Sequence, residues 1–204
     1  NYAISLRGRV RINSATFNTL YSTSSTYRAH HFIGLVAYTD PGTSGNVPVS
    51  TAAFGSGYIL ALQRYIVPGT TNSFATRLGI FARSSLHAAN NNGARSPDYG
   101  LRTTCSGTYN LDTWYHIRFD IIPNSINQKT LKAYTSTDEG SSWVEVGSTT
   151  ISTSDTSIWR STGKMGIISA KHRYDFDVGA ADKYQTADCY VDDFQVYYEL
   201  VPGI

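Results

Sequence analysis

Charge is what this chain has least of. Asp, Glu, Lys and Arg make up 16% of its 204 residues, against about 25% in an average globular domain. Seventeen basic and 15 acidic side chains leave a formal net charge of +2. That is too little to point to nucleic acid as a partner. Glutamate is scarcer still, with only Glu139, Glu145 and Glu199. No apolar run reaches the roughly 18 residues that would cross a bilayer as a helix, so no membrane span is expected. No secretory leader is visible and the first residue is Asn1 rather than Met; the expectation is a processed form or part of something longer. The two cysteines, Cys105 and Cys189, could form one disulfide in a secreted protein or stay as buried thiols. The chain has no Asn-x-Ser/Thr sequon, which leans towards a bacterial or viral source. A Walker loop and a G-x-S-x-G elbow are also missing, which removes nucleotide and serine-hydrolase chemistry. Five scattered histidines and two distant cysteines have no zinc spacing.

Tyrosine (15), glycine (17) and many Ser and Thr fill the gap, a composition that suits strands and turns. Tyr2, Ile4, Leu6, Val10 and Ile12 alternate with Ser5, Arg7, Arg9 and Arg11, which predicts a strand with one core face and one wet face. Phe32 to Tyr38 is almost wholly apolar, as expected of a strand covered on both faces. His30-His31 stands at its entry. Tyr58 to Arg64, Arg77 to Arg83, Lys164 to Ser169 and Asp188 to Tyr198 read as further strands between Gly-, Pro- and Asn-rich loops. Helical periodicity, internal repeats and linkers are absent. About ten strands with long loops predict one all-β domain over residues 1–204, a two-sheet antiparallel β-sandwich.

The richest stretch is Trp114 to Gly147, with three strand signals and two turns. Tyr115, Ile117, Phe119 and Ile121 fall on one face, and His116, Arg118 and Asp120 on the other. Pro123-Asn124-Ser125 is expected to end the pairing, Leu131, Ala133 and Thr135 to resume it, and a turn at Asp138-Glu139-Gly140 to lead into Val144 and Val146. Ser136 to Trp143 fits the Asp-box pattern S-x-D-x-G-x-S/T-W. In this reading Asp138 accepts backbone N–H groups, Gly140 supplies a positive φ and Trp143 packs beneath the hairpin. A single box reads as a hairpin brace, and a sialidase is rejected.

Three stretches resemble the concanavalin A-like lectin/glucanase superfamily, including its laminin-G-type domains. They are Thr113 to Arg118, which opens on Trp114; the hairpin Leu131 to Val146; and Tyr190-Val191-Asp192-Asp193-Phe194-Gln195-Val196-Tyr197, with an Asp pair between apolar residues. The resemblance implies a jelly-roll sandwich, but binders, hydrolases and lyases share these motifs, so no activity transfers. The hydrolase route needs an E-x-D-x-x-E carboxylate set, which three scattered glutamates do not supply. Lyases of similar fold set Arg against a uronate with Tyr or His as acid and base, yet the alginate-lyase Q-I-H triplet is absent here. Asp192 resembles the last-strand Asp that holds a structural Ca²⁺ in many relatives. Independently of the resemblance, Asp175 and Asp177 in DFDVGAAD carry part of a calcium-loop pattern.

The candidate ligand-binding residues are therefore Arg7, Arg9, Arg11, His116 and Arg118, whose strand faces suit an acidic sugar, with Tyr99 and Tyr174 from the loops. Tyr27, Tyr109 and Tyr184 are further loop candidates. Asp192, Asp175 and Asp177 are the candidate metal ligands. No catalytic residue is assigned. The expected function is a non-catalytic carbohydrate-recognition or virion-structural module, such as a phage tail-fibre, receptor-binding or capsid-decoration domain, at an extracellular or virion surface. Its partners would be a glycan or neighbouring subunits, including further copies of itself. The alternatives are a lyase acting on an acidic glycan and a purely structural assembly subunit.

Overall fold

Strict alternation makes β1 (Tyr2–Ile12) the hinge of the architecture. Leu6, Val10 and Ile12 are fully buried and Ile4 nearly so, while the intervening residues face outward. The computed structural model describes residues 2–14, 30–39, 57–67, 73–83, 100–156, 158–172 and 189–202. Nine more strands follow: β2 (His30–Thr39), β3 (Gly57–Ile66), β4 (Phe74–Arg83), β5 (Leu101–Thr104), β6 (Tyr115–Ser125), β7 (Gln128–Ser136), β8 (Val144–Ser152), β9 (Lys164–His172) and β10 (Cys189–Leu200). They form two antiparallel five-stranded sheets, in the orders β10-β1-β6-β7-β8 and β5-β4-β3-β2-β9. The protein is an all-β sandwich, as its composition and periodicity predict.

The two sheets meet over one core. Leu6, Ile117, Phe119, Ile121, Leu131 and Ala133 from the first sheet pack with Leu35, Leu60, Leu62, Leu78 and Ile80 from the second, all fully buried. Each large side chain removed from water there contributes about 1.5–3 kcal/mol before entropy is counted. The other face of the second sheet is buried too, where its own Phe32, Val36, Ile59, Ala61, Phe81 and Ile168 form a separate cluster. That double burial is why Phe32 to Tyr38 shows no alternation. Gly34 shares the face of Phe32 and Val36, and a Cβ there would come within 2.0 Å of the Leu60 carbonyl oxygen.

Several boundaries depart from the predicted ones. β4 begins at Phe74 because the β3–β4 ladder extends to the Ile66–Phe74 pair. β5 has no counterpart in the sequence reading, since four residues of mixed polarity show no decisive period. β6 runs through Pro123 to Ser125 with a register shift instead of stopping. β1 pairs β6 only as far as Ile121, so the N–H that Pro123 lacks belongs to a stretch with no ladder on the β1 side. At the edge where β5 approaches β8, the Ser106 N–H donates to the Val146 carbonyl at 2.8 Å. Cys105 is buried there as a free thiol, not bridged to Cys189. Burial pushes its pKa up to about 12, which leaves it unreactive.

Candidate functional site

Because β1 is flanked by β10 and β6, its outward residues have strand neighbours on both sides. Register sets Arg7 beside Arg118 and Gln195, Arg9 beside His116 and Asp192, and Arg11 beside Tyr190. Five predicted residues, Arg7, Arg9, Arg11, His116 and Arg118, thus share one face. β7 adds Tyr134 next to Arg118. Tyr99 and Tyr174 lie outside the described residues, as do Tyr27, Tyr184, Asp175 and Asp177. Tyr109 is buried and donates its hydroxyl to the Ser106 carbonyl at 2.8 Å, so it closes a loop instead of contacting a ligand.

Four guanidinium groups this close repel one another, and the face offsets that in two ways. Arg9 and Arg118 are paired with carboxylates. Arg118 donates in bidentate fashion to Asp120 at 2.8 and 2.6 Å. Arg9 pairs with Asp192 and, at 2.9 Å, with Asp193. A bulge makes the second contact available: between Arg7 and Arg9 the register jumps from Gln195 to Asp192, and Asp193 has a φ of 53°. The extra residue brings both acids to one arginine. The hydrogen bond that Arg9 donates to Asp192 raises the pKa of Arg9 and, reciprocally, lowers that of Asp192.

Arg7 and Arg11 are held differently. The Arg7 guanidinium lies 4.3 Å from the Tyr197 ring centroid and 5.6 Å from that of Trp143. Arg11 lies 4.6 Å from Tyr190 and 5.3 Å from Trp114. Aromatic faces favour a cation without consuming its N–H donors. Among the described residues no carboxylate pairs with either arginine, and Arg7 Nε, Arg11 Nε and Ser5 Oγ are buried without a hydrogen-bond partner. Ser5 and Arg7 line a groove of about 650 Å³ with Arg118, Tyr134, Tyr197 and Glu199. A smaller hollow of about 140 Å³ on the other side of Arg7 is lined by His116, Glu139, Trp143, Asp193 and Gln195.

The Asp box delivers one wall of that hollow. Ser142 N–H donates to Asp138 Oδ1 at 2.8 Å, Ser136 Oγ donates to the same oxygen at 2.6 Å, and Gly140 N–H donates to Ser136 Oγ at 2.8 Å. The Ser136 and Ser142 hydroxyls hold the Asp138 carboxyl down at about 2. Gly140 has a φ of 89° and Trp143 lies against it. The brace therefore forms as predicted, while its tryptophan also reaches Arg7 on the outward face.

Asp192 offers little to a metal as it stands: one oxygen meets Arg9 and the other accepts the Asp193 N–H at 2.8 Å. Among the described residues no three His, Cys, Asp or Glu side chains gather as a metal set, and no helix is long and apolar enough to cross a membrane. Sequence reasoning missed Trp143, Tyr134, Tyr190 and Tyr197. Tyr190 and Tyr197 were readable only with the β1–β10 register in hand.

No family model matches the chain, and no curated protein matches it. Among solved structures it is similar to that of an alginate lyase, at 16% identity and a TM-score of 0.39, over 96% of this chain and 69% of the other. Likeness at that level carries no argument.

Proposed function

We propose that the outward face of the β10-β1-β6-β7-β8 sheet recognises a carboxylate-bearing glycan without turning it over. The carrying observation is the Arg7 guanidinium, which rests against the Tyr197 and Trp143 rings with no paired carboxylate among the described residues and lines a groove with Ser5, Tyr134 and Tyr197. A sugar carboxylate would give that cation the counter-charge it lacks, through the terminal N–H groups that the rings leave unused. Aromatic rings beside polar groups also suit a sugar, which has both apolar ring faces and hydroxyl edges. A domain of this kind fits an appended module of an extracellular or virion protein with a jelly-roll, concanavalin A-like architecture.

The test is binding of oligouronates against neutral oligosaccharides of equal length, by calorimetry. Selective binding that Arg7→Ala abolishes, with no product formed, supports the reading; equal binding to neutral chains sinks it.

One observation favours the lyase as a second reading. Arg7 stands between Tyr197 and the hollow that holds His116, so a carboxylate on Arg7 would have candidate acid and base groups on either side. An unsaturated product absorbing in the ultraviolet would establish it. If the face is instead an assembly contact, light scattering would show an oligomer that Arg7→Ala dissociates. A structural Ca²⁺ at Asp192 would have to displace Arg9; a melting temperature lowered by chelator would reveal it, and an unchanged melt removes it.

A further inference from the structure

The parity of β7 puts Leu131 and Ala133 into the core, and the same parity carries Lys129 inward. Its side chain is 7% exposed. The ammonium lies 4.1 Å from the Tyr38 ring centroid, 4.6 Å from Trp159 and 5.7 Å from Tyr58, and donates to the Arg160 carbonyl. No carboxylate is paired with it among the described residues. Buried charges are normally paired, so three rings and one carbonyl leave this cation short of a counter-anion.

A cavity of about 330 Å³ opens beside it, lined by Tyr2, Tyr38, Ile126, Trp159 and Tyr198 as well as Lys129. The rim is apolar and exposed: Tyr2 59%, Tyr198 61% and Ile126 77%. One wall is strained. Tyr38 has a φ of 55°, at a register shift in the β2–β9 ladder, and a Cβ on Gly163 would come within 2.5 Å of its backbone. Non-glycine residues held in the left-handed region cost free energy and concentrate at functional sites. Ile4 and Tyr198 line both this cavity and the groove holding Arg7, so the two spaces adjoin around the end of the sheet.

We propose that the Lys129 cavity is an end-reading subsite, which takes the terminal acidic sugar of a chain lying in the groove and sets its carboxylate against the ammonium. This inference rests on the glycan reading of the groove. The aromatic walls would stack the sugar ring, and the carboxylate would supply the missing counter-anion.

Proton linkage gives the assay. Burial lowers the pKa of Lys129 from 10.5 to about 8; an adjacent carboxylate would move it back up. The other titratable or charged groups around it are Tyr2, Tyr38, Tyr58, Tyr198, Arg160 and Asp155. Tyr38 and Tyr58 are held above their ordinary value of 10.0, chiefly by burial, so they stay protonated below it. Binding at about pH 9 should therefore be accompanied by net proton uptake.

The experiment is calorimetry of glucuronate and glucose in two buffers of different ionisation enthalpy, followed by an oligouronate. Glucuronate should bind at least tenfold more tightly than glucose, with proton uptake that Lys129→Met abolishes and Arg7→Ala leaves intact. Equal binding of the two sugars, or glucuronate binding without proton uptake, would overturn the proposal, and the wild-type measurement decides this even if Lys129→Met does not fold. Should Lys129→Met leave oligouronate affinity unchanged while Arg7→Ala abolishes it, the groove reading stands and the subsite falls. If glucuronate binds at Lys129 but oligouronates do not bind the groove, the end-reading role falls with the glycan reading.

Discussion

Arg7 and Arg9 are two residues apart on one strand face and hold their charges by opposite means. Arg9 sits between Asp192 and Asp193, so Arg9→Ala would leave two neighbouring carboxylates facing each other and should lower the melting temperature. Among the described residues Arg7 meets the Tyr197 and Trp143 rings and pairs with no carboxylate, so Arg7→Ala should change the melt little while abolishing oligouronate binding. Parallel melting and binding curves for the two variants check the contrast, and equal losses of stability would contradict it. Lys129 supplies a pH signature of its own. Its folded pKa of about 8 lies below the ordinary 10.5, so between those values the unfolded chain binds the extra proton. Stability should then rise with pH across that window, and the rise should flatten in Lys129→Met, as read from denaturant midpoints at about pH 7.5, 9 and 10.

At the level of elements, the Asp-box hairpin and the central strand β2 each turn on one small feature. Asp138 is held at about 2, below its ordinary 3.8. The support it gives the β7–β8 hairpin is therefore complete above the unfolded value and is lost as pH falls from about 4 towards 2. Trp143 fluorescence should report that loosening, and Asp138→Ala should show it already at neutral pH. In β2, Gly34→Ala forces a methyl group towards the Leu60 carbonyl; the expected cost is about 1–3 kcal/mol, read as a shift in the denaturant midpoint without a change in slope. These elements also show what a sequence can reveal. Period-2 alternation is local, so the outward set Arg7, Arg9, Arg11, His116 and Arg118 was legible before any neighbour was known. The serine, aspartate and glycine of the hairpin lie within five residues of one another, and that brace was legible too. Sheet order was not. β1 meets β10 from the opposite end of the chain, and only that pairing reveals that Asp192 and Asp193 neutralise Arg9 through a bulge. Lys129 gave a partial signal, a lysine at a core parity of β7, but its ring partners come from β2, β3 and the β8–β9 connection.

Taken as a whole, the sandwich separates stability from recognition by face. The second sheet is buried on both sides, so Leu60→Ala should cost about 2–5 kcal/mol. Among the described residues the outward face of the first sheet carries nearly balanced charge. Arg7, Arg9, Arg11, Arg118 and Lys132 stand among Asp120, Asp192, Asp193, Glu145 and Glu199, with Lys132 and Glu145 paired at 2.8 Å. Attraction for an acidic chain must therefore come from local donors on Arg7 and Arg11 and from the rings, not from a long-range field. Screening by salt acts most strongly on charges separated by more than a Debye length, about 10 Å at 0.1 M, and much less on a partly buried contact. Oligouronate affinity should consequently fall only a few-fold between about 0.05 and 0.5 M salt. A loss of about a hundredfold or more over that range would mean that an extended basic surface, and not the Ser5–Arg7 groove, does the binding.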